Sequence, residues 1–225
     1  QRGLKWERPI AFEMFSPYGD LLIKQNMGIR IHGGATRSFA QKSLRLLPGS
    51  NYDDQAFIQY DLFPALNYRF NETVVDTFTS LILRNSGNDW TGTMFKDALS
   101  HSLLEQSALD IQGYQPAIIF LNGEYWGIQN IRTRYDEHYY LTYHGVEPQD
   151  VVVLDNWVGQ IYIGNPGDEE SFTNLLTLID PEFRANGYQT VDTLSNQSTY
   201  EEVVSNIDIE NFINYQVAHI YLNNS

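Results

Sequence analysis

The chain has no cysteine, only four lysines (Lys5, Lys24, Lys42 and Lys96), no repeat and no low-complexity tract. No apolar run approaches the ~20 residues that span a bilayer. Without cysteine there is no disulfide framework, no zinc–thiolate site and no thiol nucleophile, although the compartment stays open. The lysine shortage leaves 14 basic against 28 acidic residues, a net charge of −14. Such a field repels phosphate backbones, which argues against a nucleic-acid partner. A phosphate ligand would need a local cluster of arginine, lysine or metal to reverse the sign.

What is present is a folding composition. Hydrophobic residues make up 42% and aromatics 14% of the 225 residues, a globular rather than a disordered balance. A chain of this length buries roughly 70% of its unfolded surface. Gln1 is not an initiator, and Asp208–Asn224 reads as a helix with no stop signal. An excerpt cut inside its domain is the expectation.

The strongest local signal is a hairpin. Ala117–Leu121 and Tyr125–Ile131 flank Asn122-Gly123, two residues that tolerate the positive φ of a tight turn. The first run is almost wholly apolar, which predicts a central strand covered on both faces. The chain then leaves through Arg132, Arg134, Asp136 and Glu137, so the hairpin reads as the floor of a cleft. Upstream, residues 7–15 and 20–31 predict two strands around Pro17-Tyr18-Gly19. Ile29 and Ile31 alternate with Arg30 and His32. A glycine-bearing loop, Gly33–Ser38, follows, and then an alternating strand from Lys42 to Leu47.

Ser80–Arg84 predicts a short buried strand, and residues 94–107 a helix. On that helix Phe95, Ala98, Leu99, Ser102, Leu103 and Gln106 form one stripe, with Asp97, His101 and Glu105 stacked beside it. Glu137–Tyr143 reads as a short helix ended by Gly145, and Val151–Leu154 as a strand. Residues 155–197 read as an irregular insertion around one helix, Glu169–Ile179. Ser198 and Glu201 form a capping box, and Asp208 caps the last helix.

The chemistry-bearing residues admit two readings each. Lys42 is either a phosphate-facing lysine or an exposed strand lysine. Arg30 and Arg37 either hold phosphate oxygens or pair with Asp97 or Asp89. Gly33-Gly34 alone is equally an ordinary turn. His32, His101 and His219 lack metal-ligand spacing and read as structural. Trp90, Trp126 and Trp157 read as core or rim.

Four segments resemble the CotH family, the spore coat protein H-like atypical protein kinases and their secreted relatives. They are GIRIHGGATRSFAQKSLRL (28–46), LILRNSGND with MFKDAL (81–99), NGEYWGIQNIRTRYDEHY (122–139) and IENFINYQVAHIYLNN (209–224). The resemblance implies an α+β, protein-kinase-like fold, with a β-rich lobe over 1–135 and a partial helical lobe over 136–225. It implies an ATP site with Mg²⁺ or Mn²⁺ and a protein or surface acceptor. The nucleotide-binding residues it implies are Arg30, Gly33, Gly34, Arg37, Lys42, Asp97, Arg134 and Asp136. Asp97 or Glu105 would orient Lys42, and Arg132–Asp136 would form the hinge. Thr133 stands where the family usually carries an acid. The catalytic and metal-binding aspartates would follow Ser225, so these 225 residues are expected not to catalyse alone. A secreted or cell-surface location follows from the same likeness. The competing reading is a secreted, non-catalytic module that binds glycan or protein on a kinase-like scaffold. Glycoside hydrolysis by paired carboxylates has no supporting motif.

Overall fold

The computed structural model describes residues 3–64, 66, 74–155, 159–181 and 193–222. Trp157 and the stretch 182–192 lie outside the described residues, as does the chain end at 223–225. The fold is α+β and divides into two units. The first comprises Gln1–Leu103 with Ile111–Val146, the second Leu104–Asp110 with Glu147–Ser225.

The first unit is built on a six-stranded antiparallel sheet. In chain order its strands are β1 (Arg8–Phe15), β2 (Leu21–His32), β3 (Ser43–Leu47), β6 (Leu81–Arg84), β7 (Gln115–Leu121) and β8 (Glu124–Arg132). Their spatial order is β1-β2-β3-β6-β8-β7. The short strands β4 (Ile58–Gln59) and β5 (Thr77–Phe78) pair with each other in the long connection between β3 and β6. The buried residues Ile58, Leu62, Phe63 and Phe78 pin that connection down, with Phe63 and Phe78 edge to face at 5.5 Å.

Helix α1 (Lys96–Leu103) lies between β6 and β7 in the chain, and α2 (Glu137–His144) follows β8. Asp136 caps α2 by accepting from Tyr139 N, and Gly145 ends it with φ 66°. The second unit holds the β9 (Val153–Asp155) and β10 (Gln160–Ile163) hairpin. It also holds helices α3 (Glu170–Ile179), α4 (Gln197–Ser205) and α5 (Ile209–Tyr221).

Three expectations need correction. First, Asn122 and Gly123 do make the hairpin turn, with φ 52° and 82°, but β7 is the edge strand and not a central one. Ile118 and Phe120 are 63% and 60% exposed. A continuous apolar run fits two-sided burial, yet β8 pairs with β6 on its other side and leaves nothing beyond β7 in the sheet.

Second, the helix expected over 94–107 spans Lys96–Leu103. Met94 has φ 63°, and Asp89 Oδ2 accepts from Lys96 N at 3.0 Å at the helix start. Its apolar stripe faces outward: Phe95, Leu99 and Leu103 are all exposed, while Ala98 is buried. Asp97 and His101 turn inward instead, because the sheet face they meet is charged. Third, α4 is capped by Asn196, whose side chain accepts from Ser198 N and Thr199 N. That cap lies two residues before the expected capping box.

Candidate anion-binding face

Strand alternation gives the sheet two unlike faces. Ile31, Leu44, Leu83 and Ile131 are cross-strand neighbours in one row of the apolar face. On the opposite face the corresponding row is Arg30, Arg45, Ile82 and Arg132. The next row begins with His32 beside Ser43 and continues on β6 and β8 with Arg84 beside Asn130. On a chain of net charge −14 this is a concentrated basic field.

Two carboxylates organise it. Arg132 is fully buried. Its Nη1 donates to Asp97 Oδ2 at 2.8 Å, and its guanidinium lies 6.0 Å from the Tyr114 ring. Burial pulls its pKa below the ordinary arginine value, and Asp97 opposes that shift. Asp97 Oδ2 is also 3.3 Å from Arg84 Nε. His101, four residues on, places Nε2 4.0 Å from Asp97 Oδ1, while its Nδ1 accepts from Gln112 N at 2.8 Å. An acceptor nitrogen must be unprotonated, so His101 is the neutral tautomer. Burial and Arg132 agree with this, holding its pKa down to about 4.

The second carboxylate is Asp136. Its Oδ2 accepts from Arg134 Nη1 at 3.1 Å and from Ser80 Oγ at 3.2 Å, and lies 3.9 Å from Arg45 Nη2. Arg45 Nη2 in turn donates to Ser80 Oγ at 3.2 Å. His32 registers the resulting potential. Its pKa is pushed down to about 4, first by burial and then by Arg134, Arg45, Arg37 and Arg84.

The glycine loop joins β2 to β3. Gly33 has φ 101°, and a Cβ there would run into Thr36 Oγ1. Arg37 Nε donates to the Gly33 carbonyl, which draws the loop into a 3₁₀ turn at Ala35–Ser38. Gln41 Nε2 donates to Trp126 O and Ile128 O at 3.2 and 3.0 Å, and Gln129 Nε2 donates to Lys42 O at 2.6 Å. The far foot of the loop is thus fastened to β8. Phe39 stacks on Trp90 at 5.7 Å.

The expected pairing of Lys42 with Asp97 or Glu105 is absent. Lys42 Nζ donates to the Phe39 carbonyl, and among the described residues no carboxylate pairs with it. Lys42 precedes β3, two residues short of the leucine that starts the apolar alternation. Asp97 is taken by Arg132 and Arg84, and Glu105 lies beyond the end of α1. Arg30 pairs with neither Asp97 nor Asp89 but with Glu7, at 3.2 Å. Glu7 also accepts from Tyr52 OH at 2.6 Å. Of the eight anticipated residues, Arg134 pairs with Asp136, Arg37 donates to the Gly33 carbonyl, and Asp97 anchors the other cluster.

Sequence reasoning passed over Arg45, Ser80 and Arg84, and read Arg132 only as part of the hairpin's charged exit and hinge. A signal was available. Each of these arginines interrupts or closes an apolar strand at the alternation position of its neighbours, and an arginine is rarely placed so without a partner.

The CotH kinase protein family matches residues 29–225. That span takes in the glycine loop, both carboxylate clusters and the five described helices. The chain belongs to the CotH family. No curated protein matches it. In this CotH-family chain, as in the four motifs quoted above, the conspicuous basic residues fall on strands that frame the loop and the helix. No three His, Asp or Glu side chains among the described residues gather as metal ligands. No described helix is long and apolar enough to cross a membrane.

Proposed function

We propose that this CotH domain is the nucleotide-binding part of a kinase-like phosphotransferase. It binds ATP with Mg²⁺ or Mn²⁺ and serves transfer to a protein or surface acceptor, in a secreted or cell-surface protein. The observation that carries the reading is the Arg84–Asp97 pair at 3.3 Å. Phosphoryl transfer asks the protein for cations around the phosphates, a loop over them, and an acid on a helix that fixes the strand cation. Here the glycine loop joins β2 to β3. The next strand of the sheet, β6, ends in Arg84, and α1 then brings in Asp97. Arg84 and not Lys42 therefore occupies the strand position next to the helical acid. Lys42 stands at the loop's foot, where its ammonium group closes the loop upon itself.

Calorimetry of the full-length protein with ATP and either metal tests this. The expected result is binding that Arg84→Gln weakens by about tenfold or more, the scale of one charge-assisted contact to phosphate. Lys42→Ala should have the smaller effect. No binding with either metal refutes the reading.

One observation favours the non-catalytic alternative. The β7–β8 hairpin exposes Ile118, Phe120, Tyr125 and Ile128, an apolar surface of the kind that marks interaction sites. Binding of a glycan or protein in the absence of any nucleotide binding would favour that reading.

A further inference from the structure

We infer that β7 is a self-pairing edge: two copies of the protein join antiparallel along it, across a two-fold axis at Ile118. The direction of the main chain is the first observation. Asn122-Gly123 is a two-residue turn closed by the Leu121–Glu124 pair, whose main-chain groups face each other across the hairpin. Alternation along the strand then turns the N–H and C=O groups of Phe120 and Ile118, and the carbonyl of Pro116, outward. Pro116 agrees with this, because a proline in a ladder keeps its missing donor on the open side. Ile128, opposite Ile118, agrees as well. Its carbonyl accepts from Gln41 Nε2 at 3.0 Å, and Gln41 is held by Asn85 just past β6, on the far side of β8 from β7.

The second observation is that this edge carries no charge. From Gln115 to Gly123 there is neither an acid nor a base, whereas edge strands are ordinarily guarded by lysine or another charged side chain. The one bulge in the hairpin gives its extra residue, Trp126, to β8 and leaves β7 regular. Two chains of net charge −14 repel each other over most of their surface. An uncharged strand lets two copies approach without that repulsion, and a two-fold axis matches the strand to itself.

Centring the axis on Ile118 overlaps the whole strand, Gln115–Leu121. Ile118 N–H then donates to the partner's Ile118 carbonyl, and Phe120 N–H to the partner's Pro116 carbonyl. The side chains beside this seam are apolar. Ile118 and Ile128 are cross-strand neighbours, and Phe120 meets Tyr125 edge to face at 5.9 Å. Tyr125 and Ile128 are 64% and 46% exposed, comparable to Ile118 and Phe120. The four expose on the order of 500 Å² on each copy. Edge pairing covers only part of that, so the dimer lies at the small end of specific interfaces and is a weak one.

Sedimentation equilibrium of the full-length protein from about 1 to about 300 µM tests this. A monomer–dimer equilibrium with Kd on the order of 10–100 µM is expected. Ile118→Lys sets two like charges across the axis and should weaken the dimer about tenfold or more. Ile118→Glu should do the same, and both should keep the parent's Tm, because the side chain is exposed. Mixed in equal amounts, the two variants should associate with about the parent's affinity, because opposite charges then face each other at the axis. Phe120→Lys should also weaken the dimer and does not depend on the Ile118 variants folding.

A protein that stays monomeric at about 300 µM overturns the inference and leaves the edge to a strand of a different partner. A dimer indifferent to Ile118→Lys and Phe120→Lys overturns it too, as does growth beyond the dimer. So does a mixture of the Lys and Glu variants that fails to associate. Pairing requires no nucleotide, so the result is independent of the ATP titration.

Discussion

Replacing Asp97 by Asn removes the counter-charge from Arg132, whose side chain has no solvent exposure. Taking away one partner of a buried ion pair costs about 3–5 kcal/mol, because the remaining charge stays desolvated. Asp97 is 34% exposed, and Asn keeps an acceptor oxygen within reach of Arg132 Nη1. Both facts lower the cost, so about 2–3 kcal/mol is expected. In a protein of this size that is a fall in Tm of about 5–10 °C. Urea unfolding followed by tryptophan fluorescence should show a lower midpoint at unchanged slope.

The double variant Asp97→Asn with Arg132→Met discriminates the cause. Removing the buried charge together with its partner should restore at least half of the loss, since a well-filled apolar replacement is tolerated where a lone charge is not. A single variant within about 0.5 kcal/mol of the parent would refute the reasoning. So would a double variant no more stable than Asp97→Asn alone.

Both His32 and His101 have pKa values held down to about 4 in the folded state. The unfolded chain binds their protons near pH 6.5. Their contribution is therefore complete above about pH 6.5 and lost as pH falls toward 4. Each accounts for about 1–3 kcal/mol after allowance for partial exposure. Urea midpoints measured between pH 7 and 5 should fall, and His101→Gln should flatten that slope; an equal slope in the variant counts against the account. Gly127 has φ 106°, and a Cβ there would meet Gln41 Nε2 at 2.6 Å. Gly127→Ala should cost about 1–3 kcal/mol by thermal unfolding, and an unchanged Tm would contradict that geometry. Ile118→Thr with Phe120→Thr should leave Tm within about 3 °C while raising solubility, because β7 is an open edge. A large loss of stability would mean that these side chains are buried after all.

Much of the architecture was legible in local chemistry. Asn122-Gly123 dictated a hairpin because few residue pairs accept two positive φ values. Asp136 and Gly145 bounded α2, and Asp208 began α5, because those residue types satisfy helix-end backbone groups within a few positions. The alternation of Ile29, Arg30, Ile31 and His32 gave β2 two unlike faces. All of these are decided over distances of two to eight residues, which a sequence states directly. The CotH likeness in four separated segments was legible for the same reason: each motif is local.

Which strands become neighbours is a different kind of fact. That β6 lies between β3 and β8 aligns Arg45 with Ile82 and Ile82 with Arg132, positions 37 and 50 residues apart in the chain. Only this pairing turns scattered arginines into one basic face. The same pairing moved β7 to the edge although its composition suits an interior. It also reversed α1: Asp97 and His101 faced the arginines and Phe95, Leu99 and Leu103 faced out, because a helix buries whatever complements the surface beneath it. Sequence determined the elements and their ends; the long-range register decided which charges meet.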